Sequence, residues 1–440
     1  IFTNKWFCLN VSFKNCFTLY VFKRNDNFNC HITCHKVNQT ANMSPSRSRV
    51  LKILFGVGLV LGVIGLLVVV TLFGIANYSH KMHAVVLDAG SSSTKLNLFE
   101  WQDQPFRTNA EVTLTAYDKE EPGISAYVSR PFEAYNQLSP KLNTLTANLS
   151  SAQKSKTPVY MAATAGMRLE LIMSPLKSLK LFEILRRGLL KSGLEVETPN
   201  ERIRMLSGAE EGLYGWVSVN NNLGLISEKT QSSPLTTVGS LDLGGASTQI
   251  SFVPENAPTT DETSVDFYPL KLFGTHYNVY SHSFLCFGKN EFENRIKAAV
   301  IGTQTTAEIK HPCLLSGYKL ENQDADIIFS SPCVTGSYAR SVFPQPLSKP
   351  AGLTKFAFSG SGDAAECQKI IQEQFNSSVC TNQPCSFNDV YQPTVRGEFR
   401  AYAGYSYVMQ YFFKDEPSGL TASKVETAVK TFCSKPWSEV

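Results

Sequence analysis

Residues 84–94 (AVVLDAGSSST) place a run of apolar residues directly before Asp88 and a turn made of glycine and serine. Residues 240–252 (SLDLGGASTQISF) repeat that order of strand, aspartate, glycine and hydroxyl residues. An apolar run that enters a glycine turn is typical of a buried strand, because glycine accepts the tight backbone that follows. The two copies therefore predict two related α/β lobes with a cleft between them.

Both turns have the composition of a phosphate-binding loop. Their small residues let backbone N–H groups and hydroxyls approach an anion. Asp88 and Asp242 end the two strands, where a carboxylate can hold a divalent cation or its water shell, because hard cations prefer oxygen ligands. One such loop is equally well an ordinary hairpin. An aspartate at the same place in both copies instead predicts a paired site that clamps a polyphosphate and one metal ion.

A pair of acidic residues lies between the two loops, in residues 207–216 (SGAEEGLYGW). Carboxylates at the start of a helix can simply cap it, because they favour the positive end of the helix dipole. Hydrolysis of a phosphate, however, needs a carboxylate that orients and deprotonates water. We therefore assign Glu211 as the candidate general base and Glu210 as the capping or solvated neighbour. Tyr214 and Trp216 are interpreted as core residues.

The charge of the chain is unevenly distributed. Residues 1–52 contain eight lysines and arginines and a single aspartate, whereas the remainder has 33 basic against 36 acidic residues. A slightly acidic main body lacks the basic surface that nucleic acid requires, so we expect no nucleic-acid partner. A chain of 440 residues also exceeds one compact core, and two domains are the expectation.

An uncharged apolar stretch runs from Ile53 to Ser79. It predicts a transmembrane helix over residues 53–76, since about 20 residues at ~1.5 Å each cross ~30 Å of hydrocarbon. A soluble core helix would carry a polar stripe, and a cleaved signal peptide would have a shorter apolar run. Basic residues immediately before the span predict a short cytosolic tail, residues 43–52, and an extracellular carboxyl part. Residues 1–42, ahead of Met43, are expected to be upstream or cytosolic sequence.

Cysteines and glycan acceptor triplets support the same topology. Seven of the 11 cysteines lie after the apolar span, where an oxidising exterior favours disulfides. Because seven is odd, at least one of them has no partner within this chain. Asn-X-Ser triplets begin at Asn77, Asn148 and Asn376, on the same side of the predicted membrane.

Four motifs carry a family resemblance, in the order DAGSSST (88–94), ATAGMR (163–168), SGAEEGLYGW (207–216) and LDLGGASTQ (241–249). They resemble the first four apyrase-conserved regions of the ectonucleoside triphosphate diphosphohydrolases, which are of the GDA1/CD39 type. The resemblance runs from about residue 82 to the end of the chain. It implies an α/β fold with two actin-like lobes of the RNase H type, which we place at residues 82–203 and 204–440.

The resemblance also implies an activity. Members of this family hydrolyse extracellular ATP, ADP, UTP and UDP to the monophosphate and phosphate, with Ca²⁺ or Mg²⁺ as the cofactor. The cell-surface members are glycosylated and held in the plasma membrane by an amino-terminal helix, which agrees with the apolar span. Nucleotides and the lipid bilayer are therefore the expected partners, and a homo-oligomer is left open.

Matched motif by motif, the family's catalytic groups fall on five residues of this chain. Glu211 resembles the general base, and Ser247 and Gln249 resemble the groups that hold the attacking water. Asp88 and Asp242 resemble the residues that bind the metal, largely through its waters.

The same match implies the groups that bind the nucleotide. Residues of the two loops and one further hydroxyl resemble the phosphate ligands, namely Ser91, Ser92, Thr164, Gly244, Gly245 and Ala246. The segment FRAYAGYSYVM (399–409) resembles the one that stacks on the base, and Tyr405 is the expected contact.

Cysteine pairing is implied in the same way, as Cys286–Cys333, Cys313–Cys367 and Cys380–Cys385, with Cys433 left over. Membrane members of the family continue past a segment such as KTFCSKPWSEV (430–440) with a fifth motif and a second transmembrane helix. We therefore expect an incomplete second lobe, in a fragment or a truncated product.

One alternative function is then a nucleotide-binding form with little or no catalytic activity. Another is an intracellular relative of actin and sugar kinases, which the span, the triplets and the cysteines oppose.

Overall fold

The computed structural model of the protein describes residues 9–12, 16–19, 45–77, 80–103, 112–227, 233–256, 265–377, 379–381, 383–414 and 419–440. It contains two compact units, Ile1–Ile75 and Ala76–Val440. Most of the predicted upstream segment 1–42 lies outside the described residues. Within that segment, β1 (Leu9–Ser12) and β2 (Cys16–Leu19) pair antiparallel.

The long helix α1 (Pro45–Asn77) coincides with the predicted span. Proline is favoured at its first position, because the N–H that proline lacks would be unpaired there. The segment Ser48–Gly74 has 27 residues, and it contains an 18-residue window with a mean hydropathy of 3.0 of which none is buried. Such a segment extends about 40 Å, more than the ~30 Å of a hydrocarbon core. Helix α1 is therefore long and apolar enough to cross a membrane, as predicted for residues 53–76.

Five strands form the first sheet of the second unit, in the order β5-β4-β3-β6-β7. Their ranges are β3 (His80–Ala89), β4 (Thr94–Asp103), β5 (Thr113–Glu120), β6 (Val159–Ala163) and β7 (Ile203–Met205). Strands β3, β4 and β5 are antiparallel neighbours, whereas β6 runs parallel to β3 and β7 runs parallel to β6. The turn between β3 and β4 is the first aspartate-glycine loop.

Helices enclose the core of this sheet, and their ranges are α2 (Pro131–Leu145), α3 (Ser151–Lys154), α4 (Ala165–Met173), α5 (Pro175–Leu189) and α6 (Pro199–Arg202). Leu138 and Leu142 of α2 recur at helical spacing, as do Leu181 and Leu185 of α5. All four are buried in one cluster with Val85 of β3. The amphipathic faces of two helices thus hold the strand that carries Asp88.

The second sheet follows α7 (Gly208–Asn222) and begins with β8 (Gly239–Leu243), β9 (Ser247–Phe252), β10 (Phe267–Leu272) and β11 (Thr275–Leu285). These strands pair antiparallel, β8 with β9, β9 with β11, and β11 with β10. Helix α7 packs on the sheet through glycines. A Cβ atom on Gly208 would lie 2.3 Å from the Cβ of Ser283, and one on Gly212 would lie 2.5 Å from Ser281 Oγ. Larger side chains at these positions would push the helix away from the strands.

A smaller three-stranded sheet is inserted next, with the order β12-β14-β13. Its elements are α8 (Lys289–Ile301), β12 (Glu308–His311), β13 (Lys319–Asp324), α9 (Ala325–Ser330), α10 (Gly336–Val342), β14 (Lys355–Gly360) and α11 (Ala364–Gln372). Apolar residues of α8, α9 and β14, among them Ile301, Phe329 and Phe358, form a separate buried cluster.

Strand β15 (Phe399–Ala403) then returns to the second sheet, and α12 (Gly404–Phe412) and α13 (Ala422–Cys433) follow. Strand β15 lies parallel to β8, which gives the sheet the order β10-β11-β9-β8-β15. In both large sheets the strand before the glycine loop therefore has an antiparallel partner on one side and a parallel partner on the other. The limits 82–203 and 204–440 of the lobes stay a prediction.

Three disulfides stabilise the second unit, and they are those expected from the resemblance: Cys286–Cys333, Cys313–Cys367 and Cys380–Cys385. The first joins the end of β11 to the inserted segment, and the second joins the segment after β12 to α11. Cys433 has no disulfide partner among the described residues. The predicted pairing and the predicted leftover cysteine are both confirmed.

The inserted sheet contains a histidine that makes its stability depend on pH. His311 is buried against Phe358, with ring centroids 4.8 Å apart, and its Nδ1 accepts a hydrogen bond from the Cys313 N–H at 3.2 Å. Burial, with the charge of Lys297, lowers the pKa of His311 to about 4. The unfolded chain therefore takes up the proton first, near the ordinary value of about 6.5. The contribution of the neutral His311 to the free energy of unfolding is fully present above that pH, and it is lost as the pH falls towards 4.

We expect His311→Asn to flatten this dependence, because its amide oxygen can still accept from Cys313 but cannot be protonated. The wild-type full chain should lose up to about 3 kcal/mol of unfolding free energy between pH 6.5 and 4 beyond the loss in the variant. Thermal unfolding followed at several pH values measures the difference in slope. The variant starts from a lower Tm because asparagine fills less of the site. Parallel pH slopes for the two proteins would contradict the assignment.

Candidate active site

Three carboxylates, those of Asp88, Asp242 and Glu211, lie near enough to influence one another where the strands of the two large sheets end. Asp88 lies at the end of β3 and Asp242 lies at the end of β8. Burial, together with the negative charges of Glu211 and Asp88, raises the pKa of Asp242 to about 7, against the opposing charge of Lys95. Lys95 Nζ also pairs with Asp88 Oδ2 at 3.3 Å. The structure thus brings together the two predicted metal-binding residues and the predicted base.

The two glycine loops lie against each other, as their repetition predicts. A Cβ atom on Gly245 would stand 2.3 Å from Ser91 Oγ, so only glycine permits this approach. The Asn290 side chain donates a hydrogen bond from Nδ2 to Ser92 Oγ at 3.2 Å. Loop residues from both sheets therefore line one site.

The second loop is held from behind by the start of α8. The N–H groups of Lys289 and Asn290 donate to the carbonyls of Gly244 and Gly245, at 2.9 and 2.8 Å. A Cβ on Gly288 would lie 2.4 Å from the backbone nitrogens of the loop. The loop carbonyls are thus tied to the helix. No motif pointed to residues 288–290, because they lie some 40 residues beyond the loop that they support.

Thr164 connects the first loop with the neighbouring strand. It follows β6 directly and starts α4, and its backbone N–H donates to the carbonyl of Ala89 at 3.2 Å. A Cβ on Gly166 would lie 2.8 Å from the Cα of Ser91. The hydroxyl of Thr164 is therefore placed beside the first loop, as its predicted role near the phosphate requires.

The two adjacent glutamates at the start of α7, Glu210 and Glu211, have different contacts. Glu210 completes a capping box with Ser207, and Arg204 donates to its carboxylate at 2.7 and 3.0 Å. The hydrogen bonds from Arg204 lower the pKa of Glu210 to about 2. Glu210 is thus fully engaged in structure, which confirms its interpretation as the capping neighbour.

Glu211 has a different environment. Its Oε2 accepts hydrogen bonds from Arg168 Nη2 at 2.9 Å and from Gln249 Nε2 at 3.1 Å. Burial raises the pKa of Glu211, and the charge of Arg168 opposes that rise. Arg168 also donates to Ser247 Oγ at 2.9 Å. The structure therefore assembles Glu211, Ser247 and Gln249 in one network, with Arg168 as a bridge that the sequence analysis missed.

The amide of Gln249 completes the network. Its Nε2 also lies at hydrogen-bond distance from Ser247 Oγ, 2.5 Å, and from Ser283 Oγ, 2.9 Å, so its two hydrogens are shared among three acceptors. The oxygen of the same amide, Oε1, is buried and has no hydrogen-bond partner among the described residues. An unpaired buried oxygen costs about 1–3 kcal/mol, and Oε1 is the one atom of this amide that lacks a partner among the described residues.

Residues 75–440 match the GDA1/CD39 (nucleoside phosphatase) family. The chain belongs to this family. It is 35% identical over 361 residues to human ectonucleoside triphosphate diphosphohydrolase 8. That alignment covers 80% of this chain and 69% of the relative. It is 32% identical over 403 residues to ectonucleoside triphosphate diphosphohydrolase 1 of Rattus norvegicus, with 89% and 75% covered. The chain is accordingly a hydrolase of the nucleoside phosphatase family.

A solved structure of a nucleoside triphosphate hydrolase from Neospora caninum has a similar fold. It matches with a TM-score of 0.60 and 18% sequence identity, and covers 85% of this chain and 82% of that one. At that identity the likeness shows the fold alone. Together with the two sheets it confirms the predicted α/β fold of actin-like type.

Aromatic residues of this nucleoside phosphatase differ in part from the predictions. Trp216 is fully buried and packs edge-on against Tyr277 with centroids 5.4 Å apart, which confirms it as a core residue. Tyr214 is 54% exposed, so the prediction that it belongs to the core is wrong. It lies two residues from Trp216, about 200° around the helix, and therefore faces solvent. Tyr405 stands in the first turn of α12, where burial and Asp242 raise its pKa. Its contact with a base stays a prediction.

The donor set of the site fits a hard divalent cation. Asp88, Asp242 and Glu211 concentrate negative charge that Lys95 and Arg168 offset only in part. In the part of the chain that the structure describes, no three acidic, histidine or cysteine side chains are grouped to ligate one ion directly. Two carboxylates that act largely through water are consistent with both observations.

Proposed function

We propose that this nucleoside phosphatase hydrolyses nucleoside tri- and diphosphates, ATP, ADP, UTP and UDP, to the monophosphate and phosphate. The observation that carries the proposal is the network of Glu211, Ser247 and Gln249, which lies beside Asp242 and the two facing loops. In-line attack on a phosphate held by the loops needs a carboxylate base and a group that holds water, and a carboxylate and an amide in this network support that proposal. The related proteins are named as ectonucleoside triphosphate diphosphohydrolases, and those names support nucleoside triphosphates as the substrate class.

The phosphates would be held by both loops. Proposed ligands are the hydroxyls and backbone groups of Ser91, Ser92, Thr164, Gly244, Gly245 and Ala246. Their small side chains leave the anion open to several donors at once, which stabilises the charge of the transferring group. Tyr405 is the proposed contact of the base.

Asp88 and Asp242 would hold Ca²⁺ or Mg²⁺, largely through water. Bound there, the cation neutralises charge on the phosphate oxygens. Asp242 would then be ionised, because a cation favours the charged carboxylate. Lys95 keeps the Asp88 carboxylate in place from the side of β4.

Catalysis would proceed by direct attack of water on the terminal phosphorus. Ser247 and Gln249 would orient the water, and Glu211 would accept its proton. A new bond forms between the water oxygen and phosphorus as the bond to the bridging oxygen breaks, and the electron pair of that bond leaves with the shortened nucleotide. The charge of Arg168 opposes the rise in the pKa of Glu211 that burial causes, and so favours the ionised form that a base requires.

We further propose that α1 anchors the protein in the plasma membrane with residues 43–52 in the cytosol and the catalytic unit outside. Basic residues before α1 and three disulfides in the second unit support this orientation. A homo-oligomer in the membrane is compatible with this arrangement.

Phosphate release by cells that express the full chain tests the proposal. We expect release from added ATP and ADP with Ca²⁺ or Mg²⁺, a fall of more than about 10-fold after chelation by EDTA, and recovery when the cation is restored. Cells without the chain give the background. Release that persists unchanged in EDTA would contradict metal-assisted hydrolysis. No release from a chain shown to be at the cell surface would instead favour the nucleotide-binding form with little or no activity.

A further inference from the structure

One side chain beside the carboxylates has no role in the proposed mechanism, the phenol of Tyr402. It lies on β15 in parallel register with Asp242 of β8. Side chains in register on neighbouring parallel strands point to the same face of a sheet. Burial and the charges of Asp242 and Glu211 raise the pKa of Tyr402, which reflects how close both carboxylates are.

The hydroxyl of Tyr402 reaches the helix that carries the candidate base. A Cβ atom on Gly215 of α7 would lie 1.9 Å from Tyr402 Oη and 3.1 Å from its Cζ. Gly215 is one helical turn after Glu211, so the two residues share a side of the helix. The phenol therefore occupies a slot that exists only because residue 215 has no side chain.

The strand of Tyr402 is paired with the strand that carries Asp242. Residues Phe399–Ala403 of β15 pair with Gly239–Leu243 of β8, and Tyr402 lies directly opposite Asp242. Tyr402 thus spans the gap between α7 and β8, with one contact on each element. A rigid aromatic ring in this place fixes the separation of the two.

We propose that Tyr402 is a positioning residue that sets the separation between Glu211 on α7 and Asp242 on β8, and that Gly215 is the matching slot. The proposal rests on the proposed function only for its effect on rate. Its steric part, the fit of one phenol into one slot, is independent of activity. A displacement of the base by about 1 Å would lower the rate by up to about 100-fold.

A double-mutant cycle on the full chain tests the fit. Gly215→Ala should lower kcat for ATP by about 10- to 100-fold with KM changed less than about 3-fold, because the new methyl group collides with the hydroxyl and displaces α7. Tyr402→Phe removes only the colliding oxygen and should stay within about 3-fold of wild type. The double variant should recover most of the loss, since Cζ is the nearest atom that remains.

Gly212→Ala is the matched control. Its methyl group would meet Ser281 Oγ and Ser251 Oγ, at 2.5 and 2.6 Å, and not Tyr402. Tyr402→Phe should therefore restore nothing in a Gly212→Ala background. A general loosening of the site by the phenylalanine would rescue both glycine variants alike, and that result would overturn the proposal.

Thermal unfolding of the same proteins gives a readout without activity. Gly215→Ala should lower Tm, although alanine is the better helix former, and Tyr402→Phe should restore it in the double variant. Additive changes in both Tm and kcat would overturn the proposal, as would a Gly215→Ala protein that equals wild type in both. If the wild-type chain released no phosphate, the proposed function would fail while the cycle in Tm would still decide the fit.

Discussion

Glu211→Gln is expected to lower kcat for ATP hydrolysis on the order of 10²- to 10⁴-fold, the usual contribution of a general base. The amide has nearly the shape of the carboxylate but cannot accept the proton of water. Because Glu211 belongs to the network rather than to the phosphate loops, nucleotide binding should change little. Phosphate release and direct binding of a labelled nucleotide measure the two effects separately.

The neighbouring Glu210→Gln provides a matched control. Glutamine can still accept from the Ser207 backbone N–H, so the helix cap survives, whereas the charge pair with Arg204 is lost. We expect kcat within about 3-fold of wild type and a loss of stability of about 1 kcal/mol, because the pair is one-third exposed and screened by solvent. Equal losses of activity in the two variants would remove Glu211 from the role of base.

Arg168→Met should produce the second large effect. The pair of Arg168 and Glu211 is mostly buried, with 11% and 18% of the side chains exposed. Without the guanidinium, burial and the charge of Asp88 raise the pKa of Glu211 unopposed. A base must be deprotonated to act, so each unit of rise removes up to a factor of ten from the rate below that pKa. We expect kcat at pH 7 to fall about 10- to 100-fold.

The pH profile separates this effect from structural damage. Raising the pKa of the base moves the acidic limb of the kcat profile to higher pH, so Arg168→Met should regain activity as the pH is raised. Arg168→Lys keeps the charge but cannot contact both Glu211 and Ser247 with the same geometry, and should give a smaller shift. Unfolding temperatures show how much of each loss reflects stability. A uniform loss at every pH would mean that Arg168 does not act through Glu211.

The parts of the site that lie next to one another in sequence were predictable. Asp88 and Asp242 each end an apolar run at a glycine turn, and local composition alone places a carboxylate and small residues at the end of a buried strand. The division between Glu210 and Glu211 followed from the position of both at a helix start. The pairing of cysteines followed from the family resemblance, because spacing by itself leaves many connectivities open.

Contacts between segments far apart in the chain could not be predicted from the sequence. Arg168 reaches Glu211 across 43 positions and Ser247 across 79, and no periodicity reports such a meeting. Gly288 supports the second loop from another element, and Gly215 accommodates Tyr402 from a strand far along the chain. Tyr214 was assigned to the core together with Trp216, although the two lie two positions apart on α7. Its exposure depends on which side of α7 faces the sheet, and the glycines at 208, 212 and 215 decide that.

Hydrolysis of ATP by the full chain in water enriched in ¹⁸O, with Mg²⁺ or Ca²⁺ present, tests the proposed chemistry most directly. Attack by water at the terminal phosphorus puts one ¹⁸O atom into each phosphate released and none into the nucleotide, as mass spectrometry of both products would show. The Glu211→Gln chain should yield the same labelling at a greatly reduced rate. Label in the nucleotide product, or phosphate without label, would contradict direct attack by a water held between Glu211, Ser247 and Gln249.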